Sequence, residues 1–285
     1  MTIKLTKIEK EFASYLEELE EEFDKLLISK SAQYDQPLHL LKTYYMYMCF
    51  IADKPFLNKR HPTDKILFAK TSTDIFGIYN CLKSGCIYQA LVIFRGLVET
   101  NVTTKFIYQD YTHRTQLYYE HKYIEKYQQY EKNPETVREV DIEVITKKYY
   151  EIKDKYSRNS FWYTKSLKEI IQKDTKLKSK YNRPTIRAMA DVAGMLDEYD
   201  STYSMTSKAT HGSSLLEHLF VRENRLTTSP NYDEEWFNNI LGLSVHYAHG
   251  ILKTILENEK LGNTIYVDYS QQLLFYSIYQ GHKLN

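Results

Sequence analysis

Apolar residues recur at helical spacing along most of the chain. In the first long segment, Leu5 to Leu27, six of them follow one another at steps of three or four residues: Ile8, Phe12, Tyr15, Leu19, Phe23 and Leu26. This spacing places them on one stripe of an amphipathic helix. The opposite face carries the acidic run Glu17 to Glu22, which we interpret as a solvent-exposed helix face rather than an acidic docking tail.

The same periodicity predicts helices along the rest of the chain. They cover residues 37–52, 65–84, 86–110, 113–132, 134–156, 166–173, 184–193, 195–211, 233–260 and 264–279. Neither strand-like alternation of useful length nor an internal repeat is found in the sequence. The pattern therefore predicts an all-α fold, in which residues 1–285 form a single domain, a bundle of about nine or ten helices.

Four local signals are typical of helix ends. They are Thr63 or Asp64 before the helix at 65, Asn133 with Pro134 before the helix at 134, Gly212 after the helix at 195–211, and Asn231 with Glu234 before the helix at 233. Each places a capping side chain, a proline or a glycine where helices usually begin or end.

The composition excludes several classes of protein. The 285 residues include 9 glycines and 6 prolines, well below the average usage of about 12%, which argues against a turn-rich β-sandwich or barrel. With 38 basic and 37 acidic residues, the formal charge is +1. The strongly basic composition of a dedicated nucleic-acid binder is therefore missing. Hydrophobic residues, at 42%, are too abundant for a disordered chain.

The cysteines and the apolar stretches indicate a cytoplasmic protein. Cys49, Cys81 and Cys86 have spacings that fit no zinc or redox motif, and we interpret them as reduced core thiols. The N-terminus lacks the apolar region of a signal peptide. The most apolar stretch, Ala90 to Val98, contains Arg95 and is far shorter than the roughly 20 residues of a membrane span.

A charged pair interrupts the most apolar predicted helix. Arg95 and Glu99 are four residues apart and share a helix face,. A charge in such surroundings must be paired or must face a cleft. Arginine before glutamate is also the less favourable helical order, so helix stabilisation explains the pair poorly. Two interpretations remain open: a buried cross-link between helices, or an anion-recognition or catalytic pair in a pocket.

A second polar cluster lies on the helix at 195–211. Tyr203, Ser207 and His211 are spaced by four residues, which places them along one helix face. A histidine beside hydroxyl groups can carry protons near neutral pH; the alternative is a structural histidine that caps the helix. His246 and His249 are three residues apart, but no neighbouring ligand completes a metal site,. We therefore expect no metal.

Three separated segments resemble a bacterial family described only as a domain of unknown function. They are ALVIFRGLVETNVTTKFIYQD, the region of Trp162, and IRAMADVAG followed by Tyr203, Ser207 and THGSS. Members of that family share an Arg-x-x-x-Glu helix, a tryptophan and a Tyr-x-x-x-Ser-x-x-x-His-Gly segment, in this order. The resemblance covers roughly residues 65 to 220, flanked by N-terminal helices over 1–60 and C-terminal helices over 231–285.

In its helical character this family is similar to the HEPN superfamily (higher eukaryote and prokaryote nucleotide-binding). Many HEPN proteins are metal-independent ribonucleases of toxin–antitoxin and anti-phage systems. Their hallmark is an arginine followed, after four to six residues, by a histidine at a dimer interface. Arg114 and His121 have this spacing, although chance alone also produces it in a chain of this composition. No arginine stands at the corresponding positions before His211.

The resemblance implies a HEPN-like core and a cytoplasmic effector of stress or phage defence, acting as a ribonuclease or nucleotide-processing toxin without metal or cofactor. It also implies that Arg95, Glu99, Ser207 and His211 lie together in one pocket. We assign Arg95, Glu99 and His211 to catalysis, and Tyr203, Ser207 and Trp162 to substrate binding. His211 would act as base or acid, while Arg95 stabilises phosphorane charge.

The partners implied are RNA or a nucleotide, an antitoxin or other protein, and a second copy in a homodimer, with no membrane. The alternative is a non-catalytic binding or regulatory module in which the Arg/Glu/His cluster is structural.

Overall fold

The computed structural model describes residues 10, 21, 24–30, 32–136, 138–157, 160–211, 220–222, 225–227, 232, 234–257 and 264–283. Residues 24–30 are helical. The helices that follow are α1 Asp35–Ala52, α2 Pro55–Asn58, α3 Pro62–Lys83, α4 Ile87–Tyr108, α5 Tyr111–Lys132, α6 Glu139–Ile152, α7 Thr164–Lys173, α8 Thr175–Lys180, α9 Ile186–Val192, α10 Leu196–His211, α11 Glu234–Glu257 and α12 Thr264–Lys283. The predicted all-α class is confirmed.

Three small elements differ from the prediction. The short helices α2 and α8 were not predicted, because four and six residues are too few for a helical period to emerge. A small antiparallel hairpin pairs β1 Phe220–Arg222 with β2 Arg225–Thr227. Strands of three residues are likewise too short to be recognised by alternation.

Helix α4 lies at the centre of the bundle. It packs against α3, α9, α10 and α11, and its buried residues cover most of its circumference, among them Leu91, Phe94, Leu97, Val102 and Phe106. A narrow face that includes Gln89 and Val92 is exposed. A helix that is apolar all round can only be stable when other helices surround it. A smaller cluster of Leu117, Ile124, Ile152 and Tyr156 joins α5 to α6.

The turn between α3 and α4 has the geometry of a helix C-cap. Gly85 adopts a φ of 66°, a left-handed conformation that favours glycine. The Gly85 N–H donates to the Leu82 carbonyl at 3.1 Å, and the Cys86 N–H donates to the Cys81 carbonyl at 2.7 Å. These two bonds define a Schellman motif, and the predicted break near Gly85 is confirmed.

The expected cap at Thr63 or Asp64 was wrong. The helix begins one turn earlier because Pro62 occupies its first position and the His61 Nδ1 accepts from the Thr63 N–H at 3.2 Å. Asp64 is instead buried in the core, where its carboxylate accepts from the Tyr108 hydroxyl at 3.1 Å and from the Tyr111 hydroxyl at 2.6 Å. Burial raises the pKa of this carboxyl group.

The expected helix start at Asn133 was also wrong. Residues Pro134–Thr136 form a single 3₁₀ turn, and the following helix begins only at Glu139. Most of the segment Leu5 to Leu27, Gly212 and the capping box at Asn231 lie outside the described residues.

The helix at 184–193 is correctly predicted, with its start at Ile186, because the Thr185 hydroxyl caps it by accepting from the Ala188 N–H at 3.2 Å.

A chain of buried polar side chains connects α1, α11 and α12. The His249 Nδ1 on α11 lies 2.8 Å from the Ser270 Oγ on α12, which in turn lies 2.8 Å from the Tyr44 hydroxyl on α1. Burial, with smaller contributions from Lys253 and His246, lowers the pKa of His249 from its ordinary 6.5 to about 4. The imidazole is therefore neutral at physiological pH.

Acidification is expected to destabilise the fold through His249. The unfolded chain takes up the proton near pH 6.5 but the folded chain only near 4, so the free energy of unfolding falls as pH decreases through this interval. Polar neighbours screen part of the cost of burying the charged imidazole, so we expect the free energy of unfolding to fall by about 2 kcal/mol. His249→Gln flattens this dependence in urea denaturation curves recorded across the interval, and the exposed His39→Gln leaves it unchanged. An unaltered slope in His249→Gln would contradict the assignment.

Candidate functional site

The predicted charged pair forms on the central helix. The Arg95 Nε donates to the Glu99 Oε1 at 3.1 Å. The two side chains retain 19% and 35% of their surface exposed, so neither is fully enclosed. The pair is therefore a half-buried polar site within an otherwise apolar helix.

Arg95 also joins α4 to α10. Its guanidinium carbon lies 4.6 Å from the ring centre of Tyr203, and Tyr203 stacks on Tyr199 with ring centres 5.5 Å apart. This contact brings the two predicted segments, distant in sequence, together at Tyr203. The Arg95 Nη1 is buried and has no hydrogen-bond partner within the described part of the chain. Arg95 thus keeps a spare donor.

Two tyrosine hydroxyls lie within the electrostatic reach of Glu99. Burial, and secondarily the Glu99 carboxylate, raise the pKa of Tyr163 to about 12. The pKa of Tyr199 is raised to about 12 by the same causes, with Arg95 opposing them. Both phenols therefore stay protonated at neutral pH and remain available as hydrogen-bond donors near the pair.

Glu99 lines a cavity of about 410 Å³ that we call the Glu99 cavity. Helices α3, α4 and α5 and the segment before α7 supply most of its walls. The polar and aromatic part of its lining consists of two lysines, two glutamates, one histidine and three aromatic residues: Lys70, Lys122, Glu99, Glu125, His121, Tyr118, Tyr119 and Trp162. Its volume falls in the range of small-molecule sites.

Trp162 is fixed at this cavity by aromatic contacts. Its ring meets Tyr118 edge-on, with centres 5.2 Å apart, and lies 6.0 Å from Phe106. The structure thus brings Trp162 and Glu99, two of the predicted site residues, to the same cavity. Ser207 is half-buried on α10 and does not line the cavity.

His211 is the last residue of α10, two helical turns beyond Tyr203. Its side chain lies outside the described part of the chain. Its predicted role as the proton carrier therefore stays a prediction.

His121 is the histidine that the structure places in the cavity. Its Nε2 lies 2.9 Å from the Ser160 carbonyl, which can only accept, so Nε2 carries a proton. Its Nδ1 lies 3.4 Å from the Glu125 Oε1. A neutral ring therefore has its lone pair on Nδ1.

Arg114, which shares the HEPN-like spacing with His121, has a structural role. Its Nη1 donates to the Phe106 carbonyl at 2.5 Å and to the Gln109 Oε1 at 3.3 Å. Its guanidinium also lies against the Phe106 ring, 3.7 Å from the centre. Arg114 thus caps the C-terminal end of α4 and is not among the residues of the Glu99 cavity.

Two cationic residues of the cavity were not predicted. The Lys70 Nζ lies 2.5 Å from the Asp74 Oδ2, and the Lys122 Nζ lies 3.5 Å above the Tyr119 ring. Both lysines belong to amphipathic helices rich in charge, and nothing in the sequence pattern distinguishes them from solvent-exposed lysines. Only the packing of α3 against α5 reveals their common location.

The described residues contain no group of three histidine, cysteine, aspartate or glutamate side chains arranged to hold a metal ion. Among the described helices, none combines the length and the apolar character that a membrane crossing requires.

Comparison with known families covers the part of the chain that contains this site. The model described as "Family of unknown function (DUF5677)" matches residues 66–226, more than half of the 285 residues. The chain belongs to this family. Searches of the curated proteins and of the solved structures found no match. The matched segment of this DUF5677 protein runs from α3 to the hairpin and includes Arg95, Glu99, Trp162 and Tyr203.

The contact between Arg95 and Tyr203 is expected to stabilise the fold measurably. A double-mutant cycle with Arg95→Met and Tyr203→Leu should give a coupling energy of about 1 kcal/mol in urea denaturation, because the guanidinium is largely desolvated over the ring. The exposed pair of Lys153 and Tyr150, separated by 4.8 Å, serves as the matched control and should couple near zero. Equal coupling energies in the two cycles would contradict the expectation that the Arg95 contact is the stronger one.

Proposed function

We propose that this DUF5677 protein is a HEPN-like effector of stress or phage defence that takes RNA or a nucleotide into the Glu99 cavity and cleaves it without a metal ion. The observation that supports the proposal most directly is the composition of this cavity. It combines Glu99 of the charged pair with Trp162, two lysines and His121. The proposal includes the cytoplasm as its location, a homodimer as its form and an antitoxin as a partner.

The aromatic residues suit the recognition of a base. Trp162 and Tyr118 present ring surfaces at one wall of the cavity. A base stacked on such a ring contributes about 1–3 kcal/mol and needs no particular sequence. Lys70 and Lys122 line the same cavity and supply the positive charge that a phosphate group requires. A base and its phosphate would thus find complementary groups within one cavity.

The same residues fit the chemistry of metal-free RNA cleavage. In this reaction the 2′-oxygen attacks phosphorus, the bond to the 5′-oxygen breaks, and the products are a 2′,3′-cyclic phosphate and a 5′-hydroxyl group. His121 Nδ1 would accept the 2′-hydroxyl proton, since Nε2 is bonded to the Ser160 carbonyl,. The Glu125 carboxylate, 3.4 Å from Nδ1, would have to give way to the substrate hydroxyl. Lys70 and Lys122 would stabilise the phosphorane charge, and the departing 5′-oxygen takes a proton from an acid.

Arg95, Glu99 and His211 also take part in this proposal. The spare Arg95 Nη1 would contribute to anion recognition, and Glu99, bonded to the Arg95 Nε, would orient the guanidinium. His211 would supply the acid. Tyr203 holds Arg95 in place, and Ser207 follows it one turn later on the same helix.

One observation favours a second function, a non-catalytic binding or regulatory module. Arg95 contacts both Glu99 and Tyr203, so the pair already links α4 to α10 without any ligand. In this alternative, the cluster is structural and the cavity binds a ligand without cleaving it. Binding and cleavage are therefore measured separately.

Ligand binding is expected to change the fluorescence of Trp162. The chain has two tryptophans, so Trp236→Phe leaves Trp162 as the sole reporter in the cavity. Adding a short oligoribonucleotide should quench its emission, because a base stacks on the indole. The added change of Lys70 and Lys122 to glutamine should weaken binding about tenfold. Trp162→Phe is the matched control, whose remaining Trp236 should not respond; quenching of both reporters alike would contradict the assignment.

Cleavage is expected in the presence of EDTA. An end-labelled single-stranded RNA should yield fragments with cyclic phosphate ends, and both His121→Gln and Glu99→Gln should slow the reaction at least tenfold while the RNA remains bound in the fluorescence assay. In cells, Arg95→Ala and His211→Ala in folded protein should relieve growth arrest. Binding without cleavage would support the non-catalytic module, and absence of both binding and cleavage would overturn the proposed ribonuclease.

A further inference from the structure

The Schellman turn between α3 and α4 places two cysteines at its paired positions. Cys81 is the third residue from the end of α3. Cys86 is the second residue after the C-cap residue Ser84, and it directly follows Gly85, which has the left-handed conformation. In this motif the side chains at these two positions usually contact each other. Here both of them carry thiols instead of the common hydrophobic pair.

The backbone geometry limits the distance between the two Cα atoms. The Cys86 N–H donates to the Cys81 carbonyl oxygen at 2.7 Å. Adding the standard distances from nitrogen and oxygen to their own Cα atoms gives a separation of at most about 6.6 Å. Disulfides are found at Cα separations of about 4.4–6.8 Å. The Cα separation that the turn imposes therefore lies within the range of a disulfide.

The environment of the thiols is compatible with reaction. Both are half-buried rather than core thiols, contrary to the expectation from the sequence. Burial, followed by the neighbouring Cys86 thiol, raises the pKa of Cys81, so only a small fraction of Cys81 is thiolate at neutral pH. The Cys86 Sγ makes only a long contact of 3.7 Å to the Ser84 carbonyl. On one side the turn is covered by Tyr232, whose hydroxyl donates to the Lys83 carbonyl at 2.8 Å.

We propose that Cys81 and Cys86 form a redox modification site that closes to an intramolecular disulfide with glutathione disulfide as oxidant. One protein thiolate attacks the glutathione disulfide and releases one glutathione thiolate, which leaves a mixed disulfide on the protein. The second protein thiolate then attacks the protein sulfur of this mixed disulfide and releases the second glutathione. Two protein thiols lose two electrons and two protons, and one glutathione disulfide becomes two glutathione molecules.

The disulfide would join the end of α3 to the start of α4. These are the helices that carry Lys70 and Glu99 to the cavity. The proposal does not depend on the proposed function, because it rests only on the turn and its thiols.

Trypsin provides a direct readout because Lys83 lies between the two cysteines. The folded chain is equilibrated with glutathione and glutathione disulfide, free thiols are alkylated, and the tryptic peptides are analysed by mass spectrometry. The expected product is a linked pair of peptides 71–83 and 84–95 that separates on reduction. The Cys49→Ser variant should give the same linked pair, since Cys49 lies on α1.

The single variants and the denatured chain keep the proposal falsifiable. Cys81→Ser should stop at the mixed disulfide of Cys86 with glutathione, and Cys86→Ser at that of Cys81. The equilibrium constant for closure should be at least tenfold larger in the folded chain than in urea, because the turn holds the thiols together. Independent glutathione adducts on both cysteines, links involving Cys49, or equal closure in folded and denatured chain would overturn the proposal.

Discussion

The burial of most of the surface of α4 is the constraint on which the rest of the structure depends. Because α3, α9, α10 and α11 all pack against it, each polar group on this helix must be paired within the bundle or must reach a cavity. Arg95 and Glu99 follow these two routes. The guanidinium is held between Glu99 and the Tyr203 ring, whereas the carboxylate reaches the Glu99 cavity. The unfavourable order of the pair in the helix is understandable from this division, since each residue serves a different interface.

The helices were largely predictable, because an amphipathic or buried helix of ten or more residues has a clear apolar period. The ends of the helices were less predictable. Thr63 and Asp64 have side chains that commonly cap helices, yet His61 forms the cap and Asp64 is drawn into the core by the Tyr108 and Tyr111 hydroxyls. Such a choice depends on partners at the end of α4 and the start of α5, which the local sequence around Asp64 does not contain.

The candidate site was predictable only in part, again because many of its contacts involve residues that are distant in sequence. Arg95 and Glu99 could be identified, because a charged pair is unexpected in a largely apolar helix. Trp162 was identified through the family resemblance. His121 was noticed only for its spacing from Arg114, and this spacing proved uninformative, since Arg114 caps α4 while His121 bonds the Ser160 carbonyl. Lys70 and Lys122 carried no signal at all, because their common location arises from the packing of three helices.

The charges around the Glu99 cavity suggest which property of a ligand would matter most. Its two lysines and two glutamates nearly balance, Lys70 is paired with Asp74 at 2.5 Å, and Lys122 lies over the Tyr119 ring. A phosphate would therefore compete with existing partners for both cations, and its net electrostatic gain would be modest. A base that stacks on Trp162 or Tyr118 does not have to displace an ion pair. The near-zero net charge of the chain is consistent with recognition in which base stacking contributes most of the affinity and the phosphate contributes a smaller share.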